Sequence, residues 1–156
     1  MMPSETRLET LFNHLYLGEY NQNSYKTLII NRFMPIFVVQ FHRATHDHYD
    51  FRLESGGVLK SWAVPKMPPL AKGLKRLAIE VPDHPKSYAS FEGEIKEGYG
   101  KGLVKIWDNG NYKLILKSST KIEFELQGKR MKGKYVLLKT EFGKNPKTSW
   151  LLMKTG

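Results

Sequence analysis

The hydrophobic pattern changes period once along the chain, near residue 35. Before that point Leu8, Leu11, Phe12 and Leu15 recur at helical spacing behind Ser4, a suitable N-cap. This spacing predicts a short amphipathic helix over residues 3 to about 17. Gly18 to Met34 is rich in Asn, Tyr and Ser, has weak periodicity, and reads as a wrapping arm or loop. From Pro35 the pattern becomes that of strands. Ile36 to Phe41 is an apolar run, Tyr49 to Glu54 alternates, and Val58 to Val64 follows a Gly-Gly turn. Further strands are predicted at Leu77 to Val81, Leu103 to Trp107, Tyr112 to Leu116, Ile122 to Leu126, Tyr135 to Lys139 and Trp150 to Met153. Turn signals separate them at Pro82-Asp83, Asp108-Asn109-Gly110, Gln127-Gly128 and Gly143 to Pro146. Pro65 to Gly73, with three prolines, reads as a crossover or a single helical turn.

So many short strands predict a mainly all-β fold, a barrel or a sandwich. With 156 residues the chain suits one domain, 1–156. Residues 1–34 form its helix and arm, and 35–156 its β core.

A formal charge of +10 brings a polyanionic partner into consideration, although a lysine-rich soluble surface would produce the same number. The excess is concentrated late. Lys129, Arg130, Lys132, Lys134, Lys139, Lys144, Lys147 and Lys154 are opposed there only by Glu141. Tyr112, Phe124, Tyr135, Phe142 and Trp150 are interleaved with them or lie nearby, and such aromatics either stack bases or fill a core; the core is the commoner use. The absence of cysteine excludes disulfides and thiolate ligands, so any metal must use His and carboxylate. No apolar run spans a bilayer and no signal-peptide core is present, so a cytoplasmic protein without a membrane partner is expected.

The chemistry is concentrated between Gln40 and Glu54, where three histidines fall within seven residues: His42, His46 and His48. If 48 to 54 is a strand, His48, Asp50, Arg52 and Glu54 share one face and Tyr49, Phe51 and Leu53 the other. The second face packs on a core. The first spaces an imidazole, a carboxylate and a guanidinium about 7 Å apart. In a barrel lumen such a row must be paired or ligated. Two imidazoles and a carboxylate suit a divalent transition metal, and Arg52 offers a planar fork to phosphate oxygens. An Asp50–Arg52 ion pair beside structural histidines is the plainer reading. Spacing leaves open whether His42 or His46 would be the first ligand. His84, in Val81-Pro82-Asp83-His84-Pro85, reads as an imidazole held in a rigid turn at a barrel rim, suited to a phosphate contact or general acid.

Phe37-Val38-Val39-Gln40, His42 and His48-Tyr49-Asp50-Phe51-Arg52-Leu53-Glu54 resemble the 3′-phosphoesterase domain attached to bacterial DNA ligase D and related free-standing archaeal proteins. The resemblance continues through Gly57 to Lys66, Lys75 to Ala78, Asp83-His84-Pro85, Tyr88-Ala89, Phe91-Glu92-Gly93, Glu97 to Gly100 and Val104 to Gly110. It implies a compact closed β-barrel that uses manganese, or another divalent ion such as zinc or cobalt, on 3′ ends of nucleic acid. Such enzymes remove a terminal 3′-ribonucleotide and then the remaining 3′-phosphate, leaving a 3′-hydroxyl for ligation. By the same resemblance His42, His48 and Asp50 are metal ligands, Arg52 and His84 contact phosphate, and Tyr88 belongs to the catalytic site; His46 falls at a variable position.

Before Ile36 nothing matches the family's N-terminal arm, whose Arg-Asp pair and Glu serve ribonucleotide trimming; His14, Glu19 and Arg32 lie there without fitting the motif. Phosphate removal is thus the more direct implication. Asp47 also departs from the apolar residue usual before the second histidine. With no ligase sequence alongside, a DNA ligase is expected to act in trans. Two rival functions are a non-catalytic barrel that binds nucleic-acid ends and a small-molecule metal enzyme in a cupin-like barrel.

Overall fold

A computed structural model describes residues 33–156. The expected helix over 3–17 and the arm after it, as far as Arg32, lie outside the described residues.

Nine strands follow in order: β1 (Ile36–Arg43), β2 (His48–Ser55), β3 (Val58–Val64), β4 (Lys75–Pro85), β5 (Gly93–Ile95), β6 (Gly102–Lys117), β7 (Lys121–Gln127), β8 (Lys132–Lys139) and β9 (Ser149–Lys154). Eight of them, in the order β1-β2-β3-β4-β9-β8-β7-β6, form an antiparallel sheet that a β1–β6 pairing closes into a barrel. β5 adds to the start of β6. Among the described residues no helix is long and apolar enough to cross a membrane.

The interior is filled by the alternate positions that the pattern marks as apolar. Phe37 and Val39, Phe51 and Leu53, Trp62 and Val64 face Tyr112, Phe124, Leu126, Tyr135, Leu137, Trp150 and Leu152 in one cluster. Four of the five late aromatics are therefore core, while Phe142 is exposed. The late basic residues lie on β8, β9 and the loops on either side of β8.

Three local readings change. The hairpin at Gly56-Gly57 forms as expected, both glycines having positive φ as a two-residue turn of this kind requires. Asp108-Asn109-Gly110, however, is no turn, and the two strands predicted around it are one, β6. Its first half pairs with β1 and its second with β7. Asp108 uses its carboxylate to hold a different turn, accepting hydrogen bonds from the backbone of Lys129 (2.9 Å), Arg130 (3.1 Å) and Met131 (2.7 Å). Gly110 is needed for close approach, since a Cβ there would strike the Gln127 carbonyl.

Pro82-Asp83 likewise lies within a strand. β9 covers β4 only as far as Ile79, so the prolines fall where β4 is an edge with an irregular register. Pro65 to Gly73 crosses over without a helix, joined by a single bridge from Lys72 to Lys154; the helical turn is instead the 3-10 segment Lys86–Ser90.

Candidate metal and phosphate site

Residues directly opposite across a ladder share a face, and this rule assembles the site. His42 of β1 stands opposite His48 of β2, Gln40 opposite Asp50, and Arg52 opposite Ser61 of β3. All six are on the face of β1–β3 turned away from the core. The row thus lies outside the barrel lumen, because the odd-numbered positions of β1 and β2 already fill the interior. The segment from Tyr88 to Gly100 covers it instead: Gln40 Nε2 donates to the Tyr88 and Phe91 carbonyls, and His42 Nε2 to that of Gly100.

His42, His48 and Asp50 each offer a ligand atom within 4.8 Å of the others. His42 Nδ1 is 3.6 Å from Asp50 Oδ2 and His48 Nε2 is 3.3 Å from Asp50 Oδ1. Each imidazole gives its other nitrogen to a main-chain carbonyl: His42 Nε2 to Gly100 at 2.7 Å, His48 Nδ1 to His46 at 3.0 Å. A carbonyl only accepts, so those nitrogens carry the protons in the neutral rings. The lone pairs left over point to the carboxylate side. These carbonyl contacts orient the imidazoles for a cation, and the donor set of two nitrogens and a carboxylate fits a divalent transition metal. His46 lies in the loop before β2 begins and contributes a carbonyl; its imidazole is not in the cluster.

Arg52 is 3 % exposed and almost fully committed. Its Nε donates to Gln40 Oε1 (2.7 Å), and Nη1 to Ser61 Oγ (2.8 Å) and His84 Nδ1 (3.0 Å). Nη2 is left on the side of Asp50, 3.6 Å from Oδ2. The guanidinium lies over the Tyr88 ring at 5.0 Å, and that ring packs on His84 and stacks on Phe91. His84 is in strand register opposite Leu59. Arg52 has only protons to offer His84 Nδ1, so that nitrogen accepts and the ring proton sits on Nε2; the Pro82 carbonyl, 3.1 Å from the same atom, cannot also be served. Glu54, last in the row, bonds the Ile36 amide and pairs with Lys86, a structural use.

The electrostatics follow from this packing. A hydrogen bond to Asp50 raises His48, against the effect of burial. Burial opposes ionisation of Asp50, but His48, Arg52 and His42 together hold it below the ordinary carboxylate value. Burial, then the Arg52 charge, lowers His84, and burial raises Tyr88.

The structure therefore brings all six expected residues, His42, His48, Asp50, Arg52, His84 and Tyr88, to one face. It adds Gln40, Ser61 and the Gly100 carbonyl. Gln40 and Ser61 carried a signal, being polar residues at buried positions on the same ladder face; the Gly100 carbonyl carried none.

A family described as the DNA Ligase D 3′-phosphoesterase domain matches residues 40–139, a span that includes all six. The chain belongs to this family. The multifunctional non-homologous end joining protein LigD of Pseudomonas aeruginosa is 44 % identical to it over 124 residues, covering 76 % of the chain and 15 % of that protein. The LigD of Mycobacterium bovis is 47 % identical over 109 residues (67 % and 14 %), and that of Mycolicibacterium smegmatis 41 % over 121 (70 % and 16 %). The chain thus spans about a seventh of the length of these curated relatives.

Proposed function

We propose that this chain is a divalent-metal-dependent 3′-phosphoesterase that removes a 3′-phosphate from a DNA strand end. The product, a 3′-hydroxyl, is what a ligase requires, and the proposed setting is DNA repair by end joining. The observation that carries this reading is the pair of imidazoles, each pinned by one nitrogen to a carbonyl and turned by the other toward Asp50, beside a buried arginine.

His42 Nδ1, His48 Nε2 and the Asp50 carboxylate would hold the cation, manganese or alternatively zinc or cobalt. Bound there, such an ion supplies positive charge for the non-bridging oxygens of the phosphate. The protein's own groups do the rest. Arg52 cannot swing, because Gln40, Ser61 and His84 hold three of its donors; its Nη2 edge is the part free to meet a phosphate oxygen. Its charge stays paired with Asp50 until the anion arrives. His84, lowered by burial and by Arg52, is neutral at neutral pH and presents Nε2–H as a hydrogen-bond donor to the phosphate or to the departing 3′ oxygen. Without a cysteine, water is the proposed nucleophile: the bond between phosphorus and the 3′ oxygen breaks, the oxygen takes a proton, and inorganic phosphate leaves.

A 5′-labelled primer–template ending in a 3′-phosphate or a single 3′-ribonucleotide, incubated with a panel of divalent ions, tests this. The expected product is the 3′-hydroxyl strand of unchanged length from the phosphate end. Salt-sensitive binding of the strand with no processing under any ion would replace the enzyme by an end-binding module.

A further inference from the structure

The loop that fixes His42 also carries the most exposed aromatic residue described in the barrel. Tyr99 is 99 % exposed. It sits second in a tight turn closed by the Lys101 amide donating to the Gly98 carbonyl (3.3 Å). Gly98 and Gly100, on either side, have φ of 83° and 85°. A positive φ at the third position is the mark of a type II turn, in which the residue before it is carried at the apex. The turn does not float. Gly100 takes the proton of His42 Nε2, and Gly102 lies so close to the Arg43 carbonyl that a Cβ would collide with it.

One peptide unit therefore orients a ligand-bearing imidazole, and the residue before it holds a ring out into solvent. Consecutive Cα atoms are about 3.8 Å apart, so the residue that bears the ring is one such step from the residue whose carbonyl holds His42. Leaving a tyrosine ring in water is unfavourable unless something covers it. Lys96 and Lys101 outnumber Glu97 on the same loop, and the chain as a whole carries +10, so the net charge favours an anionic partner.

We propose that Tyr99 is a nucleobase-stacking residue: its ring packs on the base at or next to the 3′ end of the strand whose phosphate lies at the His42–His48–Asp50 cluster. Stacking tolerates any base because each has a π-face, so this contact grips the end without reading sequence. The proposal rests on the nucleic-acid reading above, but its test does not require turnover.

The full chain is mixed with a 3′-phosphorylated strand carrying 2-aminopurine at its terminal nucleotide, with calcium in place of a transition metal. Stacking on Tyr99 quenches the fluorophore. Tyr99→Phe and Tyr99→Trp should retain the quench and Tyr99→Ala should lose it, with binding weakened about five- to hundred-fold, the range for loss of one base stack. The weakening should collapse when the terminal base is replaced by an abasic sugar. Failure of the wild type to release phosphate with manganese would count against the phosphoesterase reading, and the quench would still decide the role of Tyr99. Equal quenching and equal affinity in wild type and Tyr99→Ala would overturn the proposal and leave the ring as a contact for a protein.

Discussion

His42 faces His48 directly across the β1–β2 ladder, and the two imidazoles approach different oxygens of a single carboxylate, Asp50, at 3.6 and 3.3 Å. Cross-strand pairing supplies one histidine and the i,i+2 step along β2 supplies the carboxylate. The arrangement is thus a product of sheet geometry, and the two carbonyl-bound ring nitrogens fix the tautomers that leave lone pairs for a cation.

The first prediction concerns that cluster. Manganese titrated calorimetrically into the wild type should bind one ion per chain. His48→Ala and Asp50→Ala should each lower affinity by more than the ~100-fold that loss of an outer-shell partner costs. Unchanged affinity in both would remove these residues from the metal site.

Gln40 is wholly buried and joins the guanidinium of Arg52 to the carbonyls of Tyr88 and Phe91. Gln40→Leu leaves these groups without partners and should destabilise the fold by about 2 kcal/mol in denaturant melts. Because Arg52 then loses its anchor, kcat should fall roughly ten- to hundred-fold while manganese affinity holds. A loss of metal binding instead would mean that Gln40 organises the whole cluster.

Two histidines are displaced in opposite directions in the metal-free protein. His48, raised by its bond to Asp50, contributes stability that is full below the ordinary value of about 6.5 and is lost as pH rises through its folded value. For His84, lowered by burial, the stability is present above about 6.5 and lost as pH falls through its folded value. Histidine Cε1 resonances followed by NMR should titrate above 6.5 for His48 and below it for His84, and zinc should abolish the first titration. Midpoints on the same side of 6.5 would contradict the assigned contacts.

How far the sequence carries is clearest at particular residues. Alternation along His48 to Glu54 separated a core face from a polar one, because the strand is regular there, and Gly56-Gly57 marked a hairpin whose backbone demands glycine. The exterior placement of the polar face was not legible: one strand's alternation does not say which side the barrel encloses. His42 and His46 were indistinguishable by spacing, since the choice depends on where β2 begins and on a carbonyl, Gly100, 58 residues away. Asp108 and Gly110 looked like turn residues because the same chemistry, a carboxylate that takes backbone amides and a missing Cβ, also serves a long strand that crosses a neighbouring loop.

Asp108 gives a stability test of that last point. Asp108→Ala would strand the amides of Lys129, Arg130 and Met131 beside a buried position, and at about 1–3 kcal/mol for each unsatisfied group the loss should exceed about 3 kcal/mol. Asp108→Asn should recover part of it. Melting of both variants at the wild-type temperature would show that the 128–131 turn does not depend on this carboxylate.

The most direct test of the central claim is phosphate release from a 3′-phosphorylated DNA strand as manganese is titrated, in the wild type and in Asp50→Ala. The wild type should convert the end to a 3′-hydroxyl with saturable dependence on manganese, cease when the ion is chelated, and far outpace the variant at every concentration. Equal release by the two proteins, or release that persists after chelation, would contradict a metal-dependent phosphoesterase built on His42, His48 and Asp50.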